Sequence, residues 1–141
     1  MSILSKIFTS SPLNLNVGLL LLRLGLSAAL LTHGWMKIEN FSKLAGVFPD
    51  PFGTGHLSAL VLAIISEVGG SILLILGLWT RAASLVLLLT FLTIFFIVSA
   101  GQPFSGRELP YVFLVGYAAL LFTGAGSFSL DGLRRTAKAQ S

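Results

Sequence analysis

From Ala82 to Ala100 the chain reads Ala-Ala-Ser-Leu-Val-Leu-Leu-Leu-Thr-Phe-Leu-Thr-Ile-Phe-Phe-Ile-Val-Ser-Ala, and no charge occurs between Arg81 and Arg107. Such a run is long enough to cross a bilayer core, which takes about 20 helical residues. A second uncharged stretch separates Glu108 from Asp131. Upstream, Leu15 to Met36 is mostly apolar with Arg23 and His33 as its ionisable members, and Leu57 to Leu78 carries only Glu67. The expected fold is therefore an all-α integral membrane protein, a four-transmembrane-helix antiparallel bundle with spans near 15–36, 57–78, 82–100 and 108–124. Residues 1–14 form an N-terminal interfacial segment and 127–141 a basic tail.

Composition agrees. Only 10% of the 141 residues are charged and 55% are hydrophobic, more apolar surface than a soluble globule of this size can bury. The same figures exclude intrinsic disorder. With no cysteine there is no disulfide, thiolate metal site or thiol relay, so a redox role must use a bound group or a partner. The net charge of +4 is spread over helix ends and forms no stripe for nucleic acid, and the two widely spaced histidines give no metal-ligand pattern.

Proline and glycine set the breaks: Phe48-Pro49-Asp50-Pro51-Phe52-Gly53-Thr54-Gly55, Gly101-Gln102-Pro103-Phe104-Ser105-Gly106, and a tight turn at Trp79-Thr80-Arg81. The segment from Lys37 to His56 is long for a bundle connection and reads as a lid. Lys6, Arg81, Arg134, Arg135 and Lys138 fall on the side of the termini and Lys37, Lys43 and Arg107 on the other, which places both termini in the cytoplasm. Ile3, Leu4, Ile7 and Phe8 recur at helical spacing beside Lys6 and suit a short surface helix as well as a loose tail.

An Arg near mid-membrane costs about 2.5–3.5 kcal/mol unless it finds a partner. Arg23 lies roughly 12 Å into the first span and Glu67 roughly 16 Å from the same face, so the two are expected to pair. Such a pair is either a staple that fixes helix register or a site for the polar head of an amphiphile. Arg23, Ser27, Leu30, Gly34 and Lys37 share one inward stripe of the first span, with His33 at its edge. Glu108 opens the fourth span, where a carboxylate suits the helix dipole, and with Tyr111 it could join His33 and Lys37 at the outer end. Gly34, Gly69, Gly70, Gly77 and Gly116 mark expected close helix approaches. The third span, with Phe91, Phe95 and Phe96, reads as lipid-facing or as a partner surface.

In order, Arg23, His33-Gly34-x-x-Lys37, Glu67-x-Gly69-Gly70 running to Gly77-Leu-Trp-Thr80-Arg81, Glu108, and Gly124-x-Gly126-x-x-Ser129-Leu130-Asp131 resemble the DoxX family over nearly the whole chain. The resemblance implies a small four-helix protein, in bacteria of the cytoplasmic membrane. Named members of that group include a subunit of a thiosulfate:quinone oxidoreductase and partners of oxidative-stress enzymes. The first functional expectation is thus a redox-associated membrane subunit that binds a quinone in the bundle, with Arg23 and Glu67 on its head, and His33, Lys37 and Glu108 exchanging protons. No flavin, haem or cluster motif is encoded, so electrons must come from a redox partner protein. A non-enzymatic scaffold or chaperone and a small-solute transporter protomer acting as a homo-oligomer are the alternatives.

Overall fold

The computed structural model describes residues 2–141, and every described element is helical. Helix α1 (Ile3–Ile7) is exposed throughout; α2 (Leu15–Glu39) follows, then the single turn α3 (Phe41–Leu44). Helices α4 (His56–Leu76) and α5 (Thr80–Val98) come next, then α6 (Glu108–Thr123) and α7 (Leu130–Gln140). Helices α2, α4 and α5 are long and apolar enough to cross a membrane, while α6, at 16 residues, is a shorter apolar helix. At 1.5 Å per residue α6 rises about 24 Å, less than a full hydrocarbon core.

Sequential helices pack as antiparallel neighbours, α2 on α4, α4 on α5 and α5 on α6, and α6 closes the ring against α2. Leu30, Leu74, Ala83, Leu87, Phe113 and Leu120 fill the interior. Leu21, Leu62, Ile65, Leu89, Phe96 and Val115 point outward, exposed. An apolar exterior of this kind is what lipid contact requires and what a soluble surface avoids.

Each helix end has a chemical cause. Asn14 caps α2, its Oδ1 accepting from the Val17 amide at 3.1 Å. Helix α4 stops at Gly77, whose left-handed φ of 65° lets the Leu78 amide reach back to the Leu73 carbonyl at 2.9 Å. Helix α5 is capped from fifty residues away: Asp131 Oδ1 and Oδ2 accept from the Trp79 and Thr80 amides, each at 2.9 Å. This carboxylate holds Trp79 at φ 49°, the one non-glycine residue with positive φ among those described. The segment expected to be a basic tail is the helix α7, capped by Ser129 and docked through Asp131 onto the α4–α5 turn. The connection after α3 is tied by Asp50, which accepts from the Thr54 and Gly55 amides, and by His56 Nδ1 donating to the Phe48 carbonyl.

Small residues set the helix register. A Cβ at Gly34 would lie 2.7 Å from Val68 Cγ2, one at Gly70 2.8 Å from Leu87 Cδ1, and one at Gly116 2.6 Å from Leu26 Cδ1. Gly34, Gly70 and Gly116 sit at close helix approaches, Gly77 lies against Ser129 and the end of the Arg23 side chain, and a Cβ at Gly69 meets nothing within 4 Å. Gly69 lies one residue away from the face that Gly70 presents to α5, and one step on a helix turns about 100°.

Candidate functional site

One π-helical turn, Ile65–Gly69, interrupts α4, and a second, Ile94–Val98, ends α5. Such turns widen the backbone locally and occur often at functional sites. The first presents Glu67 to the interior and the second starts at Ile94; both residues line one cavity of about 160 Å³. Leu30, His33 and Lys37 of α2 form one wall, Phe91 of α5 another, and Leu109, Pro110 and Phe113 of α6 close it. All four bundle helices contribute.

Lys37 Nζ donates to Glu67 Oε2 at 2.6 Å, the one ion pair within 4 Å among the described residues. The Lys37 side chain is 16% exposed and that of Glu67 3%, so the cation stands towards the rim and the carboxylate inside. His33, one turn along α2 from Lys37, meets the Phe113 ring edge-on at 6.3 Å. Phe113 stacks on Phe91 at 4.8 Å and on Tyr117 at 5.9 Å, giving the cavity an aromatic floor. Apolar walls with a few convergent polar groups are the usual form of a small-molecule site.

The expected Arg23–Glu67 pair does not form. Arg23 is buried, but its Nη1 donates to the Ala125 carbonyl and its Nη2 to the Phe128 carbonyl, both at 2.7 Å. Register explains the difference. Gly34 lies against Glu67 and Arg23 against Gly77, so the two charges sit about 15 Å apart along the bundle at 1.5 Å per residue. The first two turns of α2 overhang the α4–α5 turn, and Leu15 therefore does not mark the same level as Leu78. Arg23 is a staple for the Gly124–Ser129 connection, whose carbonyls past the end of α6 would otherwise go unpaired.

Glu108 and Tyr111 also stand apart from His33 and Lys37. Glu108 is exposed, and Tyr111 packs outside the cavity on Phe104 at 5.3 Å and Phe95 at 6.0 Å, beside Arg107 over the Phe95 ring at 4.6 Å. Leu109, Pro110 and Phe113 take the inward face of α6, and Tyr111, two residues from Phe113, is turned about 200° away. Of the segment from Lys37 to His56, read as a lid, only Lys37 contributes to the lining. The third span is mostly outward-facing, with Leu85, Val86, Leu89, Phe96 and Ile97 exposed, and it turns Ala83, Ser84, Leu87 and Phe91 inward. Arg23, Ser27, Leu30 and Gly34 are all buried on one stripe of α2, as the spacing predicts.

Phe91, Phe113 and Tyr117 carry no sequence signal for the site: each sits in a run apolar on every side, where periodicity cannot say which face is inside. Ile94 is likewise visible only once the π turn is known.

These features define a helical membrane protein with a polar pair set into an aromatic-floored interior cavity. The chain belongs to the DoxX family, whose profile matches residues 18–100. That match takes in Arg23, His33, Lys37, Glu67 and Phe91. A Bacillus subtilis protein named "Putative oxidoreductase CatD" is 30% identical over 116 residues, covering 82% of this chain and 85% of its own. An uncharacterized Haemophilus influenzae protein is 31% identical over 121 residues, covering 78% of this chain and 85% of its own. No solved structure matches the chain.

Proposed function

We propose that this protein is the membrane subunit of a redox system and binds the head of a quinone or similar amphiphile in the cavity at Lys37 and Glu67. The observation that carries the reading is an ion pair with a buried carboxylate and a cation near the rim, opening on a cavity of about 160 Å³ walled by Phe91 and Phe113. A dry protein cavity of about 150 Å³ accepts one benzene ring, so the volume suits a single six-membered head with its tail among the helices or in lipid. Lys37 and His33 offer donors to a ring oxygen, and Glu67 can give or take the proton that accompanies reduction. A bound quinone would supply the electron-carrying chemistry. The B. subtilis relative, named as an oxidoreductase, supports the redox assignment. The electrons come from a partner protein.

The same proposal has four membrane-crossing helices with both termini in the cytoplasm of a bacterial cell. Lys6, Arg81, Arg134, Arg135 and Lys138 against Lys37, Lys43 and Arg107 support that orientation.

Extraction of the native membrane into polymer nanodiscs, followed by mass spectrometry of bound small molecules, tests the reading. A stoichiometric prenylquinone or related amphiphile that is lost in Glu67→Gln supports it. A bundle that carries no amphiphile but retains a protein partner points to a scaffold instead.

A further inference from the structure

Between the Glu67 cavity and Arg23 lies a layer of hydroxyls that the cavity reading does not use. Ser27 of α2, Ser71 of α4, Ser84 of α5 and Tyr117 of α6 are each fully enclosed, at 0% exposure. None of their oxygens meets a hydrogen-bond partner among the described residues. One such hydroxyl comes from every helix of the ring.

The glycine contacts place them at one level. Gly34 against Glu67 and Arg23 against Gly77 set Ser27 beside Leu74 of α4. Gly70 against Leu87 sets Ser84 about two residues nearer the Gly77 end than Ser71. Gly116 against Leu26 brings Tyr117 to the turn of α2 that carries Ser27, and its side chain leans back towards the start of α6. All four hydroxyls therefore fall within about one helical turn, roughly 5 Å along the axis. Ser71 follows Glu67 by four residues, and Ser27 follows Arg23 by four. The Arg23 Nε is also without a partner among the described residues.

A buried hydroxyl left unpaired costs about 1–3 kcal/mol, and four around one axis would burden a bundle of this size heavily. Water is the guest that relieves this, because it donates and accepts at once and needs two to four polar partners. We propose that Ser27, Ser71, Ser84 and Tyr117 enclose a bound-water site at the centre of the bundle. It continues the polar interior from Glu67 towards Arg23, and it stands whether or not the cavity holds a quinone.

The test is water-edited solid-state NMR on the full chain in vesicles, with labelled serine, tyrosine and leucine. Magnetisation transfer from water to Ser71 and Tyr117 should far exceed that to Leu74 and Leu120, and the Tyr117 hydroxyl should deuterate rapidly. Both should fall severalfold in Ser71→Val/Ser84→Val. Transfer to Ser71 and Tyr117 as slow as to the two leucines, with a Tyr117 hydroxyl that does not exchange, would overturn the proposal. The milder variant Ser71→Ala keeps the question open to a melting curve if the valine variant does not fold. A hydrated serine lowers the melting temperature when lost, and a dry one raises it.

Discussion

Gly34 of α2 lies directly against Glu67 of α4, a Cβ at this glycine falling 3.4 Å from Glu67 Cβ. This contact decides which cation Glu67 meets. Three residues further along α2, Lys37 is in reach; Arg23, eleven residues before Gly34, is not. A methyl group at position 34 must displace Val68 or separate the helices. Gly34→Ala should therefore cost about 1–3 kcal/mol, the usual range for overpacking, read as a lower melting temperature in detergent or nanodiscs. Gly69→Ala, facing open space, should be nearly silent in the same assay.

The two members of the ion pair should respond unequally to removal. Without Lys37, Glu67 remains an enclosed carboxylate, at 3% exposure. Lys37→Met should approach the 3–5 kcal/mol that breaking a buried pair costs. Without the Glu67 charge, Lys37 at 16% exposure can swing its ammonium to the rim, so Glu67→Gln should be milder. Thermal melts of both single variants and of the double variant check this, and the double variant should recover part of the Lys37→Met loss.

Arg23 should prove structural and not part of the cavity. Its two bonds to the Ala125 and Phe128 carbonyls are charge-assisted and buried, each of a kind worth about 1.5–3 kcal/mol. Arg23→Met should expose residues 124–129 to limited proteolysis and lower stability. Amphiphile binding measured on the surviving folded protein should remain.

Asp131 gives α7 a pH-dependent anchor. Burial pushes its carboxyl upward, but the bonds from the Thr80 and Trp79 amides and the charge of Arg134 outweigh that, and it titrates below the ordinary carboxylate range. A carboxyl depressed on folding contributes in full above its unfolded value, near 3.9, and loses the contribution as pH falls through the lower folded value. Wild-type stability should therefore fall more steeply than that of Asp131→Asn as the pH drops below about 4. At neutral pH Asp131→Ala should cost about 1 kcal/mol, the usual worth of a helix N-cap. Melting curves of the three proteins across pH test both statements.

The apolar lengths and the inward stripe of α2 were legible in the sequence, because a polar Arg23, a small Ser27 and a cationic Lys37 recur at helical spacing against leucine. The partner of Glu67 was not. Pairing across two helices depends on register, and register is set by which glycine takes the close approach and by how far α2 overhangs its neighbour. Neither quantity is local. The inward faces of α5 and α6 escaped for another reason: where every position is Leu, Val or Phe, no polar contrast marks the outside, so Phe91, Phe113 and Tyr117 looked like any lipid-facing aromatic. The Asp131 cap was hidden by distance in the chain, although the Gly124-x-Gly126-x-x-Ser129-Leu130-Asp131 segment that carries it stands out in the sequence.

The most direct test of the Lys37–Glu67 cavity is equilibrium binding of a short-chain benzoquinone to the purified protein in lipid nanodiscs, wild type against Glu67→Gln. Saturable binding of one molecule per chain, weakened by about tenfold or more in the variant while its helical content is unchanged, is the predicted result; tenfold corresponds to about 1.4 kcal/mol, within reach of one charge-assisted contact. Binding of equal strength in both proteins, or none in the wild type, would contradict it.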